Sequence, residues 1–249
     1  MMEAYADQVI SILLVSFRIG PALAFAPPFT YLRTPAAVRV LLSFSLAAWI
    51  DAGAPAQTSL HDSSHLVTAA ISELFMGLTL ALCLQLAFGA ILTAGRAIDF
   101  QAGFGLAVIA DPTLRTQMPL IGTLFAYAAA AVFFTTTGPT DLLAIWANSV
   151  ERVPVGAIAA PNLPMLLEYM STVFVLAFGL AGFVLLTLFL TDLAIAFVSR
   201  TLPQMNVLVL GFQVKTIALL LTLPFVFALS GALFLRIVRL AIDTTSRLI

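Results

Sequence analysis

The chain reads as unbroken apolar runs separated by short polar punctuation. Four windows hold no Asp, Glu, Lys or Arg: residues 74–95, 116–140, 169–191 and 216–235, of 22, 25, 23 and 20 residues. A helix rises about 1.5 Å per residue, so about 20 apolar residues cross a hydrocarbon core of about 30 Å. The last window holds seven Leu, three Phe, one Ile and one Val. At roughly −0.3 to −0.6 kcal/mol each, these residues favour insertion by about 4–7 kcal/mol. The runs are continuous rather than alternating, which predicts helices and excludes a membrane barrel.

Three stretches are less regular. Residues 9–32 are interrupted by Arg18, Gly20, Pro21, Pro27 and Pro28. Residues 40–50 reach only about 17 Å as a helix. The two predict a bent hairpin around residues 33–39. Residues 193–214 contain Arg200, Pro203, Gln204 and Asn206, which predicts two short helices around a polar bend. The connections 51–65 and 141–168 read as loops, the second structured by Pro139 just before it and by Pro154, Gly156, Pro161 and Pro164, of which the prolines would break a helix. The expectation is an all-α integral membrane protein of six to eight apolar, partly broken helices forming hairpins, with no soluble domain.

Composition agrees. The chain is 61% hydrophobic and 9% charged, against about 25% charged residues in soluble domains. Its mean hydropathy is +1.09. These values exclude a disordered chain, a nucleic-acid binder with a basic surface, and almost any soluble enzyme. The net charge of −1 implies no partner class. No basic residue precedes Arg18, so the first apolar segment is expected to be retained rather than cleaved as a signal. Cys83, the one cysteine, sits in an apolar run and reads as a small core residue. Basic residues concentrate in 33–39, 96–115 and 192–215, which places those connections on the cytoplasmic side and the N-terminus outside. Six crossings would then put the C-terminus outside, yet it carries Arg236, Arg239 and Arg247. Either 193–214 is re-entrant or the helices cross unusually.

Few residues offer chemistry. Arg18 and Glu73 lie within apolar helices, where an unpaired charge costs roughly 2.5–3.5 kcal/mol. A buried pair or an intersubunit salt bridge is favoured over an ion pathway, because one carboxylate makes no relay. Arg96 and Asp99, three apart, read as a helix-end pair. Beyond them Gly103, Phe104 and Gly105, then Val108, Ile109, Asp111, Pro112, Met118 and Pro119, form a stretch too apolar for an exposed loop. Non-helical backbone at membrane depth must be buried in protein or line a cavity, so this stretch reads as facing a pore. His61 and His65 have metal-ligand spacing but no third ligand, and are expected to be solvated loop residues. No catalytic constellation appears, and neither an enzyme nor a cofactor is expected.

Three segments together carry a resemblance: RIGPALAFAPPF at 18–29; ELFMG at 73–77 with GRAIDFQAGFGLAVIADP at 95–112; and RTLPQMNVLVLGFQVK at 200–215. In order and spacing they resemble the FliR-type subunit of the flagellar type III export gate, a family that includes the equivalent injectisome subunit. The resemblance spans nearly the whole chain. It implies a helical subunit of the bacterial cytoplasmic membrane, within the flagellar basal body. Its fold is similar to a P-type subunit (about 1–190) fused to a Q-type helical hairpin (about 191–249). It implies assembly with P-type and Q-type gate subunits, the export switch protein and other export-apparatus membrane proteins, in contact with lipid and with no nucleic acid. Unfolded protein substrates would pass through the shared conduit. By position, 103–119 matches the plug of that conduit, with Phe104, Val108, Ile109 and Met118 as sealing candidates. Pro203, Gln204, Asn206 and Gly211 match the turn of the hairpin.

An injectisome gate subunit is the nearest alternative. A small-solute transporter built on helices broken at Pro21, Pro27, Pro203 and Pro224 is a more distant one. So much apolar surface on broken helices reads as interface between subunits as well as lipid contact. Expressed without partners, the chain should aggregate or be degraded; a well-behaved monomer in mild detergent would contradict this.

Overall fold

The computed structural model describes residues 2–32, 34–53, 63–104, 119–157, 162–201 and 206–248. Among them are eight α-helices and one short 3-10 turn, with no strand. The helices are α1 (Met2–Phe25), α2 (Ala36–Gly53), α3 (Ser63–Ala102), α4 (Leu120–Thr135), α5 (Gly138–Arg152), α6 (Leu163–Thr201), α7 (Val207–Leu229) and α8 (Gly231–Arg247). The 3-10 turn is Phe29–Leu32, just after a cis Pro27–Pro28 bond. Five helices are long and apolar enough to cross a membrane, or six counting α4 and α5 as one span bent by 71°.

The helices α3 and α6 run 40 and 39 residues, far longer than their charge-free windows. At 1.5 Å per residue each extends about 60 Å, twice a hydrocarbon core. Helix formation continues through Glu73, Arg96, Asp99 and Asp192 because each charge is exposed or partnered. The same reason overturns the two short helices expected at 193–214. Up to Thr201 the stretch is the end of α6, and from Val207 it is the start of α7. The bend between them, with Pro203 and Gln204, lies outside the described residues. Pro21 and Pro224 sit inside α1 and α7 without ending them. The 36–53 helix is likewise longer than the 11-residue run that marked it.

The loop expected at 141–168 is helical through Arg152. Pro139 stands in the first turn of α5, where the missing N–H costs nothing. The buried Leu142, Ile145, Trp146, Ser149 and Val150 form one stripe at helical spacing. A Gly-Pro pair that reads as a breaker is here a helix start.

The chain forms two compact units. One comprises 1–86, 130–170 and 238–249. In it α1 and α2 form the expected hairpin, and Arg39 Nη1 donates to the Ala24 carbonyl at 2.8 Å. Ser11 Oγ donates to buried Asp51 at 2.5 Å. Tyr169 Oη donates to the Cys83 carbonyl at 2.7 Å, and Cys83 is itself fully buried. The other unit comprises 87–129 and 171–237. In it Phe125 packs edge-on against Phe227 and Phe234, with centroids 5.4 and 5.9 Å apart. The division at 190 and 191 that the resemblance implies falls inside unbroken α6. The single window 216–235 divides between α7 and α8 at Ser230, whose N–H donates to the Val226 carbonyl. Arg236, Arg239 and Arg247 line the exposed face of α8, outside the candidate spans.

Gly77 shows how closely α1 and α3 approach. A Cβ there would stand 2.8 Å from the Phe17 carbonyl oxygen and would also strike that of Arg18. The Phe17 carbonyl is the one that Pro21 deprives of its helical donor. Gly89, on the same helix, has nothing within 4 Å of such a Cβ. Gly77→Ala should therefore cost about 1–3 kcal/mol. Gly89→Ala should be neutral or stabilise by up to about 1 kcal/mol through helix propensity. Thermal unfolding of the two variants in detergent checks this; equal shifts would contradict the close approach.

Candidate functional site

Two clusters of polar groups stand out, one in each unit. The first surrounds Arg18 and Glu73, both about 1% exposed. Arg18 Nε and Nη2 donate to Glu73 Oε2 and Oε1 at 2.6 and 2.8 Å, a two-pronged pair. Nη1 donates to the carbonyls of Ser149 and Val153, at 2.6 and 3.1 Å. Those carbonyls close the C-terminal end of α5, the negative pole of its dipole. Glu73 Oε1 also accepts from the Gly156 N–H at 2.8 Å, on a turn where Gly156 has φ +86°. The arrangement joins α1, α3, α5 and the turn after α5. Both charges are paired and almost fully buried, an arrangement that ties these pieces of chain together.

The second cluster lies in the other unit, where α3 ends. Lys215 Nζ is 2.5 Å from Asp192 Oδ1 and donates to the Gln101 main-chain oxygen at 3.1 Å. Gln101 Nε2 donates to Asp192 Oδ2 at 2.8 Å. Lys215 thus caps one of the carbonyls left unpaired at the C-terminus of α3. The next residues leave the helix: Gly103 turns with φ +92°, and Phe104 packs edge-on against Phe212 at 6.1 Å. A Cβ at Gly103 would press on the Phe212 ring at 3.3 Å, and its left-handed backbone favours glycine independently.

Arg96 and Asp99 lie one turn apart near the end of α3, and the Arg96 charge acts on the Asp99 carboxylate. Arg96 is exposed and Asp99 is buried. The Asp99 carboxylate accepts from the Ile121 N–H at 3.1 and 3.2 Å, at the start of α4. Its hydrogen bonds go to an unpaired N-terminal amide rather than to Arg96. Beside it Gly95 and Gly122 bring their main chains into direct contact. Pro119 precedes α4 and packs on Gly122. Gly105, Val108, Ile109, Asp111, Pro112 and Met118 lie outside the described residues, as do the side chains of His61 and His65. In the hairpin, Asn206 caps α7 by accepting from the Val209 N–H at 3.4 Å, and Gly211 is buried near Ile195.

The sequence profile described as bacterial export proteins, family 1, matches residues 9–241. The chain belongs to this family. It is 33% identical to the flagellar biosynthetic protein FliR of Bacillus subtilis over 86% of this chain and 85% of that one. It is 27% identical to FliR of Escherichia coli K12, over 100% of this chain and 99% of that one. It is also 27% identical to the Yop proteins translocation protein T of Yersinia pestis, over 58% and 57% of the two chains.

In this member of the export family, the segments that carry the resemblance meet in space in two places. Arg18 of the first meets Glu73 of the second, and Gln101 of the second meets Lys215 of the third. Sequence reading singled out Arg18, Glu73 and Asp99 but gave no partner to Gln101, Asp192 or Lys215. For Asp192 and Lys215 the signal was present: a charge at the edge of a long apolar run needs a partner.

Removing one member of the Arg18–Glu73 tie strands the other. Glu73→Leu alone should destabilise by about 3–5 kcal/mol, while Arg18→Met combined with Glu73→Leu recovers much of the loss. Folded yield and thermal unfolding of membrane extracts read this; a single variant as stable as the parent would contradict the tie.

Proposed function

We propose that this chain is a structural subunit of the flagellar type III protein-export gate, helping to form and close the conduit for unfolded export substrates. The observation that carries the reading is family membership across residues 9–241 together with the FliR relatives that match over most of their length. The flagellar reading is preferred to the injectisome one because FliR of Bacillus subtilis is 33% identical over 86% of the chain, against 27% over 58% for protein T and 24% over 88% for SpaR of Shigella flexneri. The subunit is membrane-embedded and works among other export-apparatus proteins.

In the finer reading, it sits in the bacterial cytoplasmic membrane within the flagellar basal body. There it packs against P-type and Q-type subunits, offers a face to the export switch protein, and ends in a Q-like hairpin from about residue 191. The faces of α6 and α7 suit this arrangement. Val175, Phe183, Phe197, Leu220, Leu221, Phe225 and Leu229 are all more than half exposed, and such a surface needs helices or lipid against it. The segment 103–119 helps seal the conduit through apolar side chains that yield and re-form around a passing chain. No catalytic residue is assigned.

Deleting part of 105–116 should leave gate assembly intact and raise ion leakage across the cytoplasmic membrane. Leakage at the level of the parent, in a gate that still assembles, would refute the sealing role. Deleting the whole chain should abolish motility and leave solute uptake unchanged, and a loss of uptake instead would favour a transporter.

A further inference from the structure

We infer that the groove between α1 and α2 binds one acyl chain of an anionic phospholipid, whose phosphate is held by Arg39. The groove lies within the first unit and has a volume of about 400 Å³. Gly20, Pro21 and Ala24 line it with small side chains, and Phe17, Phe25 and Phe44 with large apolar ones. Its two serines add little polarity. Ser16 and Ser43 donate to the Leu13 and Val40 carbonyls at 2.6 and 2.7 Å, so both O–H groups are spent within their own helices.

Arg39 is the one charge among the described residues that line the groove. It stands in the first turn of α2, and its Nη1 donates to the Ala24 carbonyl near the end of α1. The helical donor for that carbonyl would be residue 28, a proline with no N–H, so Nη1 caps α1. Nε is buried and finds no hydrogen-bond partner among the described residues. Nε and Nη2 form the edge on which Arg18 grips the Glu73 carboxylate. On Arg39 the same edge is left for an anion, and no carboxylate lines the groove to supply one.

Position and width say which anion fits. The helices α1 and α2 are candidate membrane spans over Tyr5–Phe25 and Ala36–Gly53, and Arg39 lies at the end they share. That end is where hydrocarbon gives way to headgroups. From Phe25 to Ser16 the groove follows α1 for about 13 Å. A helix about 10 Å wide would need roughly 1,000 Å³ over that length, more than twice the space there is. An extended peptide would bring N–H and C=O groups that apolar walls leave unpaired. An alkyl chain brings neither. The ammonium of a zwitterionic headgroup would stand beside the guanidinium with no carboxylate to receive it, which favours a lipid of net negative charge.

The full chain, isolated with the export-apparatus proteins it assembles with, is placed in nanodiscs of equal phosphatidylglycerol and phosphatidylcholine. Lipid retained after detergent exchange is counted by native mass spectrometry. The parent should retain phosphatidylglycerol several-fold over phosphatidylcholine, and Arg39→Gln should lose that preference. A Cβ at Gly20 meets nothing within 4 Å, so Gly20→Leu fills the groove without a clash at its base and should retain one lipid fewer per chain. A parent without preference, an Arg39→Gln that keeps it, or a Gly20→Leu with the parent's lipid count would overturn the site. If Arg39→Gln fails to assemble for want of its cap on Ala24, p-benzoylphenylalanine placed at Phe44 of the parent decides. A photochemical adduct with phospholipid supports the site. An adduct with a neighbouring protein instead, or none with lipid, overturns it.

Discussion

One buried ion pair sets the geometry of the first compact unit. Arg18 and Glu73 stand in apolar helices where neither tolerates being alone. Each therefore dictates where the other must be. The guanidinium has more donors than one carboxylate accepts, so it also reaches the carbonyls at the end of α5. The carboxylate in turn collects the Gly156 amide. Four pieces of chain, far apart in sequence, converge on one point because two charges have no other way to be satisfied. Gly77 makes the convergence possible, since a side chain there would hold α1 off α3. The gain is specificity more than strength: an apolar replacement could match the stability but would not name the partners so narrowly.

The second unit applies the same rule at lower stakes. Asp99, Gln101, Asp192 and Lys215 are polar groups at helix ends or on partly exposed faces. Their partners are largely unpaired backbone groups where α3 stops and α4 begins. Helix termini leave such groups open, and a membrane subunit has little water to fill them. The sparse charge of this chain is thus concentrated where backbone needs it. The apolar surface is left to lie against lipid and neighbouring subunits.

Much of the fold was legible because continuous apolar runs leave few alternatives to helices. Boundaries were legible only where a charge truly ends a helix. Reading Glu73, Arg96 and Asp192 as edges shortened α3 and α6 to little more than half their length, since partners from distant segments let the helices continue. Pro139 misled in the opposite sense, as a breaker where it is a starter. At the sites, Arg18 and Glu73 could be paired by elimination, being the isolated charges in apolar company. Gln101 could not: its role comes from a side-chain amide and a terminal carbonyl, and only the end of α3 in three dimensions makes them available.

The buried carboxylates of the described residues show where this chain places its charge. Here the most buried carboxylate is held by a bidentate arginine and a backbone amide. The next, Asp51, accepts from the Ser11 hydroxyl, and the third, Asp99, accepts from the Ile121 amide at the start of α4. The polar groups of the described residues are spent on holding helices in place.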